Sequence, residues 1–154
     1  MAPPFYIQKS WKDPQALFNL IYGNVDDYPD ELEEAAKRQL EIDYDPEKSH
    51  AIASIVFIKS KRLLDARKIL KNYIKKYGPT AAILTNLAKT YENSTKSEEI
   101  LWDAIHFDPN FPNGLDFWLA IRAEHEGEET YHNDLLKLAQ LPNTWRPQLY
   151  LACE

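Results

Sequence analysis

The segment from residue 125 to residue 132 comes nearest to a metal-binding pattern in this chain of 154 residues. His125 and His132 flank three glutamates, and imidazole and carboxylate groups are common metal ligands. In the HExxH motif, however, two histidines stand four residues apart on one face of a helix. Here Gly127 lies between them, and glycine favours the end of a helix. We therefore interpret the segment as a solvated acidic turn with two surface histidines, and we expect no metal.

Nucleophilic catalysis and cofactor binding are not indicated either. The one cysteine, Cys153, follows Leu151-Ala152 in a predicted helix, where a small residue is typical of packing. The chain has only 4 glycines, and it contains neither a GxSxG elbow nor a phosphate-binding GxGxxG or GxxxxGK[ST] loop. A single cysteine also excludes an internal disulfide. The sequence predicts a protein that is not an enzyme and that holds no cofactor.

Charge is distributed unevenly along the chain. With 18 basic and 24 acidic residues the net charge is -6, which disfavours a dedicated nucleic-acid binder. Residues 26–47 hold ten carboxylates, whereas residues 59–76 hold eight of the 18 basic residues and a single acid, Asp65. Four of these basic residues form a candidate basic strip: Arg67, Lys68, Lys71 and Lys75. We expect an acidic helix over 29–43 to lie beside a basic helix over 62–77, so that their charges attract. The alternative is that the strip binds RNA or an acidic partner.

The elements that position these residues are predicted to be helices. The 10 prolines against 4 glycines disfavour a β-sandwich or a barrel, because those folds need many glycine-containing turns. Apolar residues recur three and four apart, as in Leu63, Ala66, Leu70, Tyr73 and Tyr77. The pattern predicts helices over 14–22, 29–43, 47–60, 62–77, 80–92, 96–107, 113–126, 128–141 and 146–153.

Several residues predict where these helices begin and end. Asp13-Pro14 and Asp45-Pro46 are typical of helix starts, since aspartate caps free N–H groups and proline suits the first turn. Thr95 and Glu98 have the spacing of a capping box at the start of the helix over 96–107. Three glycines are predicted to end helices: Gly23, Gly78 and Gly127.

Self-comparison reveals a repeat in both kinds of helix. Leu87-Ala88, Leu119-Ala120 and Leu151-Ala152 recur every 32 residues, each in the first helix of a predicted helix pair. The second helices repeat a set of three positions, occupied by Ala66, Leu70 and Tyr73, then by Ser97, Leu101 and Ala104, and then by His132, Leu136 and Ala139. Two short helices cannot bury their apolar stripes alone, so we expect neighbouring pairs to stack.

The repeat resembles the tetratricopeptide repeat. The best match is residues 81–109, through Asn86-Leu87-Ala88, Tyr91, Ala104 and Asp108-Pro109-Asn110. The resemblance implies a single all-α domain over 1–154, a right-handed α-solenoid of antiparallel helix pairs. We predict repeats over 47–80, 81–111 and 112–143. A divergent N-terminal helix pair over 11–45 and a C-terminal half-repeat over 145–154 complete the chain.

The resemblance also implies a concave groove lined by the first helices and suited to a peptide. The matching positions are Ala51, Ile55, Ile58, Thr85, Lys89, Glu92, Phe117, Ile121, Glu124, Arg146, Leu149 and Cys153. Several of them are apolar, which favours an amphipathic helix as the ligand. The alternative is that residues 11–45 or another copy of the chain cover this surface.

We therefore expect a non-catalytic interaction module with a protein or peptide partner. A second hypothesis is self-association through the apolar C-terminal half-repeat, which contains Trp145, Leu149, Tyr150 and Leu151. RNA binding through the basic helix 62–77 is a third. No apolar run is long enough to cross a membrane, and residues 1–10 lack the pattern of a signal peptide, so we expect a cytoplasmic protein.

Overall fold

A computed structural model of the protein describes residues 9–153, apart from the side chain of Ser94, and within that range every regular element is helical. The helices are α1 (Pro14–Asn24), α2 (Glu33–Ile42), α3 (Pro46–Lys59), α4 (Leu63–Tyr77), α5 (Ala81–Ala88), α6 (Ser94–Phe107), α7 (Pro112–Glu126), α8 (Glu128–Leu138) and α9 (Arg146–Ala152). A 3-10 turn, Asp30–Leu32, precedes α2. The prediction of an all-α fold is confirmed. The absence of a signal peptide was predicted from residues that lie largely outside this range.

Two of the predicted helix starts are confirmed, and one is corrected. The Asp13 carboxylate accepts hydrogen bonds from the Gln15 and Ala16 amides at 2.9 and 3.1 Å, and Asp45 caps α3 in the same way. The capping-box prediction for α6 was wrong, because Asn93 caps that helix and accepts from the Lys96 amide at 3.0 Å. Asparagine is among the best N-cap residues, so it starts the helix two residues earlier than predicted.

Two of the three glycines end helices as predicted. Gly78 and Gly127 have φ angles of 87° and 91°, which side chains rarely allow, and they close α4 and α7. Gly23, in contrast, lies inside α1, which continues to Asn24 and leaves through Val25 in an ordinary helical conformation. Val25 is buried, so its packing favours the longer helix.

The chain divides into two compact units, with the boundary between Pro79 and Thr80. In the first unit α1 packs on α2, and both pack on α3, which also holds α4. In the second unit α5 packs on α6, and both pack on α7, which also holds α8. The same order of contacts therefore occurs in each unit, and the second adds α9 against α8. The division falls one residue before the predicted junction of two repeats, 47–80 and 81–111.

The predicted repeat positions are buried in two of the three helix pairs. The sets that begin at Ala66 and Ser97 are buried. In α8, however, Leu135 and Leu138 are buried, whereas His132 and Leu136 are exposed. The buried positions of α8 therefore come one residue earlier than predicted. The reason is that α8 begins directly after Gly127, without a linker like residues 89–93. One residue turns a helix by about 100°, which moves the predicted set to the outer face.

Candidate functional site

The predicted groove positions of the second unit form a mixed apolar and charged surface on α7. Phe117, Ile121 and Glu124 are spaced four and three residues apart, so they lie on one stripe of the helix. Phe117 and Ile121 are half-buried and Glu124 is exposed. The ammonium of Lys89 lies 5.6 Å from the centroid of the Phe117 ring, within cation–π range. We call these four residues the α7 face.

Thr85 does not line a groove. Its side chain is fully buried, and its hydroxyl donates to the Ala81 carbonyl at 2.7 Å. On the other side, an ideal Cβ at Gly114 would lie 2.9 Å from Thr85 Oγ1. The prediction that Thr85 contacts a ligand was wrong, because α5 and α7 approach each other too closely at this point. Thr85 instead sets the distance between these two helices.

Lys89 and Glu92 follow α5 instead of belonging to it. The helix was predicted to run to residue 92, but it ends at Ala88. Thr90 closes it, since its amide and hydroxyl both donate to the Leu87 carbonyl, at 3.0 and 2.7 Å. Both Lys89 and Glu92 are exposed, and only Lys89 is seen to contact the α7 face. Glu92 is therefore left out of the candidate site.

Arg146 has a structural role that the sequence did not predict. Its Nε donates to the Asn110 carbonyl at 2.6 Å, and its guanidinium lies 4.6 Å from the Trp145 ring centroid. The Asn110 side chain accepts from the Trp145 and Arg146 amides and donates to the Asn143 carbonyl. The hydrogen bonds of Arg146 and Asn110 therefore stabilise the start of α9. Leu149 is about half exposed and Cys153 is exposed, so both remain accessible.

Phe18, Tyr22 and Lys48 extend the predicted groove positions of the first unit. Ala51, Ile55 and Ile58 of α3 are half-buried, and both isoleucines pack against the core of the unit. Lys48 lies one turn before Ala51 and reaches α1, where its ammonium stands 4.2 Å from the Phe18 ring centroid. The Phe18 ring stacks on Tyr22, with centroids 6.1 Å apart. Our sequence interpretation missed these three residues, although the spacing of four between Phe18 and Tyr22 places them on one face of α1.

The candidate basic strip lies on the outer side of α4. Lys68, Lys71 and Lys75 are exposed and form no ion pair within residues 9–153, while Arg67 is half-buried. The acidic helix α2 and the basic helix α4 both pack on α3. Among the described residues, the ion pair that joins the two predicted helices, 29–43 and 62–77, is the one between Arg62 and Glu33. The Lys59–Asp26 pair, at 2.7 Å, lies outside both.

Two of the residues that suggested a metal site, His125 and Glu126, take part in an ion-pair network around Arg122. Its Nε donates to Asp134 at 2.8 Å, and the same guanidinium pairs with Glu126. The hydrogen bond to Asp134 raises the pKa of Arg122 above its usual value. His125 contacts Glu98 at 2.7 Å, while His132 is exposed on α8. In the part of the chain that the structure describes, no three His, Cys, Asp or Glu side chains are grouped so that they could hold a metal ion.

Comparisons with known proteins find no matching family model, no matching curated protein and no matching solved structure. The resemblance to tetratricopeptide repeats therefore stays a prediction. Within residues 9–153, every helix is too short or too polar to span a lipid bilayer.

Proposed function

We propose that the protein is a non-catalytic interaction module that binds an amphipathic helix or peptide on the α7 face. The observation that carries the proposal is the order of side chains on this face, with half-buried Phe117 and Ile121 between Lys89 and Glu124. Burial of apolar surface from water contributes about 25 cal/mol per Å2 to binding. The two charges of opposite sign would fix the direction of the ligand, because each repels a like charge.

The proposal includes a tandem array of helix pairs as the scaffold. Its support is the repeated order of contacts, in which α1 and α2 pack on α3 as α5 and α6 pack on α7. In such arrays the exposed faces of the first helices are available for ligands. By this reasoning Phe18, Tyr22 and Lys48 form the corresponding surface of the first unit. The cytoplasmic location stays a prediction from the sequence.

A selection experiment with peptides of defined chemistry tests the proposal. A displayed library of amphipathic helical peptides is selected on the full chain, and the enriched peptides are then titrated against variants. Ile121→Glu places a carboxylate beside Phe117 and should weaken binding at least tenfold. A tenfold change corresponds to about 1.4 kcal/mol of binding free energy. Leu136→Glu is the matched control, since Leu136 is an exposed leucine of α8 and is not part of the α7 face.

Two results would contradict the proposal. One is a library from which no peptide binds the folded wild-type chain. The other is a set of peptides whose affinity is unchanged by Ile121→Glu while circular dichroism shows that the variant is folded. If Ile121→Glu unfolds the protein, the milder variant Phe117→Ala is titrated with the same peptides instead.

Self-association through the C-terminal half-repeat is the second candidate. Trp145 and Leu149 are about half exposed, although the Arg146 guanidinium lies over the Trp145 ring. Light scattering on wild type and on Leu149→Glu tests this candidate. Self-association through this surface requires that wild type forms an oligomer that salt does not weaken. It also requires that Leu149→Glu dissociates this oligomer.

A further inference from the structure

The outer face of α4 is a continuous stripe with one apolar and three basic side chains. Leu64, Lys68, Lys71 and Lys75 are spaced four, three and four residues apart, so they lie on one side of the helix. Leu64 is 75% exposed, and all three lysines are exposed. The stripe is about 16 Å long, from the rise of about 1.5 Å per residue. We call these four residues the α4 stripe.

An acidic segment with matching character lies in the same unit. Asp27, Asp30 and Glu31 are exposed and form no ion pair within residues 9–153, and Tyr28 between them is 52% exposed. The segment is held in place, because Val25 before it and Leu32 after it are buried. The Tyr28 amide also donates to the Asn24 carbonyl at 2.9 Å. We call residues 27–31 the acidic segment.

Residues next to each surface form ion pairs within one copy. Lys59 and Arg62, which precede α4, pair with Asp26 and Glu33, which flank the acidic segment. Within one copy these pairs leave the three lysines of the α4 stripe and the three carboxylates of the acidic segment unpaired, as far as residues 9–153 are concerned. Both sets are therefore available to an outside partner of opposite charge.

We propose that the α4 stripe binds the acidic segment of a second copy of this chain, in a two-fold dimer. Three positive charges meet three negative charges at each of two equivalent contacts, and Leu64 and Tyr28 add apolar area between them. A two-fold arrangement closes when the stripe of each copy meets the acidic segment of the other, which leaves neither surface open. The occupant is another copy and not RNA, because a second copy supplies carboxylates for the lysines and lysines for the carboxylates, whereas RNA supplies only negative charge, which the acidic segment repels.

Ionic strength provides the first test. Light scattering or sedimentation of the full chain should show a dimer at low ionic strength. The dimer should dissociate towards about 1 M salt, where the Debye length is about 3 Å. Lys68→Glu, Lys71→Glu and Lys75→Glu combined should weaken the dimer at least on the order of a hundredfold, since three attractions become repulsions at each of the two contacts. All three side chains are exposed, so the variant should remain folded.

A charge exchange gives the decisive result. A second variant combines Asp27→Lys, Asp30→Lys and Glu31→Lys, and alone it should also be monomeric. When the two variants are mixed, the intact lysines of one meet the intact carboxylates of the other, and the mixture should form a one-to-one dimer.

Each other outcome overturns the proposal. A wild-type monomer at every concentration and salt rules out the dimer. An oligomer that persists at high salt and dissociates with Leu149→Glu assigns the contact to α9. A charge-exchange mixture that stays monomeric, or lysine reversal that abolishes RNA binding while the dimer persists, shows that the stripe has another role.

Discussion

Gly114 of α7 lies so close to Thr85 of α5 that a Cβ built on the glycine would fall 2.9 Å from the threonine Oγ1. Thr85 is fully buried and its hydroxyl is bonded to the Ala81 carbonyl, so it has little freedom to move away. We expect Gly114→Ala to lower the free energy of unfolding by about 1–3 kcal/mol, the usual cost of overpacking. Urea denaturation measures this change.

A double variant isolates overpacking from the higher helix propensity of alanine, which partly offsets it in Gly114→Ala. Thr85→Ala removes the atoms that the new methyl group would meet, so Gly114→Ala should cost less in that background. We expect a coupling energy that makes the double variant more stable than the sum of the two single substitutions predicts. If Gly114→Ala is as stable as wild type, the close approach of α5 and α7 is wrong.

Removal of the Arg122 guanidinium should destabilise the second unit strongly. Its partner Asp134 has a side chain only 8% exposed, and a buried carboxylate without its partner is costly. Arg122→Met should cost about 2–4 kcal/mol, below the largest values for buried pairs because Lys137 still lies 3.5 Å from Asp134. Lys96→Met breaks the exposed Lys96–Glu99 pair and serves as control, with an expected cost below about 1 kcal/mol. Equal losses in the two variants, measured by urea denaturation, would refute a structural role for the Arg122 network.

The Asn110 side chain should be needed for the order of α9. It makes hydrogen bonds to the Asn143 carbonyl and to the Trp145 and Arg146 amides, at 2.8, 2.8 and 3.0 Å. Asn110→Ala leaves these groups without that partner, at a cost of about 1–3 kcal/mol. Amide hydrogen exchange should accelerate in α9 and remain unchanged in α5. Asn113→Ala, at an exposed position of α7, should change neither.

Tyr73 should make the first unit less stable at high pH. Burial, followed by the carboxylates of Glu47 and Asp45, raises the pKa of the Tyr73 hydroxyl. The unfolded chain releases this proton near pH 10, whereas the folded chain keeps it to higher pH. The stabilisation is therefore complete below about pH 10 and is lost as the pH rises through the folded pKa.

The substitution Tyr73→Phe isolates this effect. Its free energy of unfolding should fall less steeply above about pH 10 than that of wild type. Tyr44→Phe is the control, because Tyr44 is 95% exposed. Identical alkaline slopes for wild type and Tyr73→Phe would contradict the prediction.

Local signals in the sequence account for most of the fold. Asp13-Pro14 and Asp45-Pro46 each combine a side-chain cap with a rigid first turn, so they mark helix starts to within one residue. Gly127 needs its positive φ and therefore ends α7 where predicted. Gly23 was misread because the burial of Val25, which depends on tertiary packing, decides where α1 ends.

The candidate site was less predictable, because side-chain roles there depend on contacts between helices. Nothing near Thr85 in sequence shows that Gly114 faces it. Arg146 was assigned to a groove from its position in the repeat, but its partner Asn110 is 36 residues away. The Lys89–Phe117 contact likewise joins residues from two helix pairs, so spacing within one helix could not show it.

Nuclear magnetic resonance tests the interaction proposal most directly. The isotope-labelled full chain is titrated with a selected amphipathic peptide, and amide shifts are mapped. Binding at the α7 face should give saturable shifts at Lys89 and along residues 117–124, with residues around Leu136 unchanged, and Ile121→Glu should abolish these shifts. Saturable shifts confined to other surfaces, with the α7 face unaffected, would contradict the proposal.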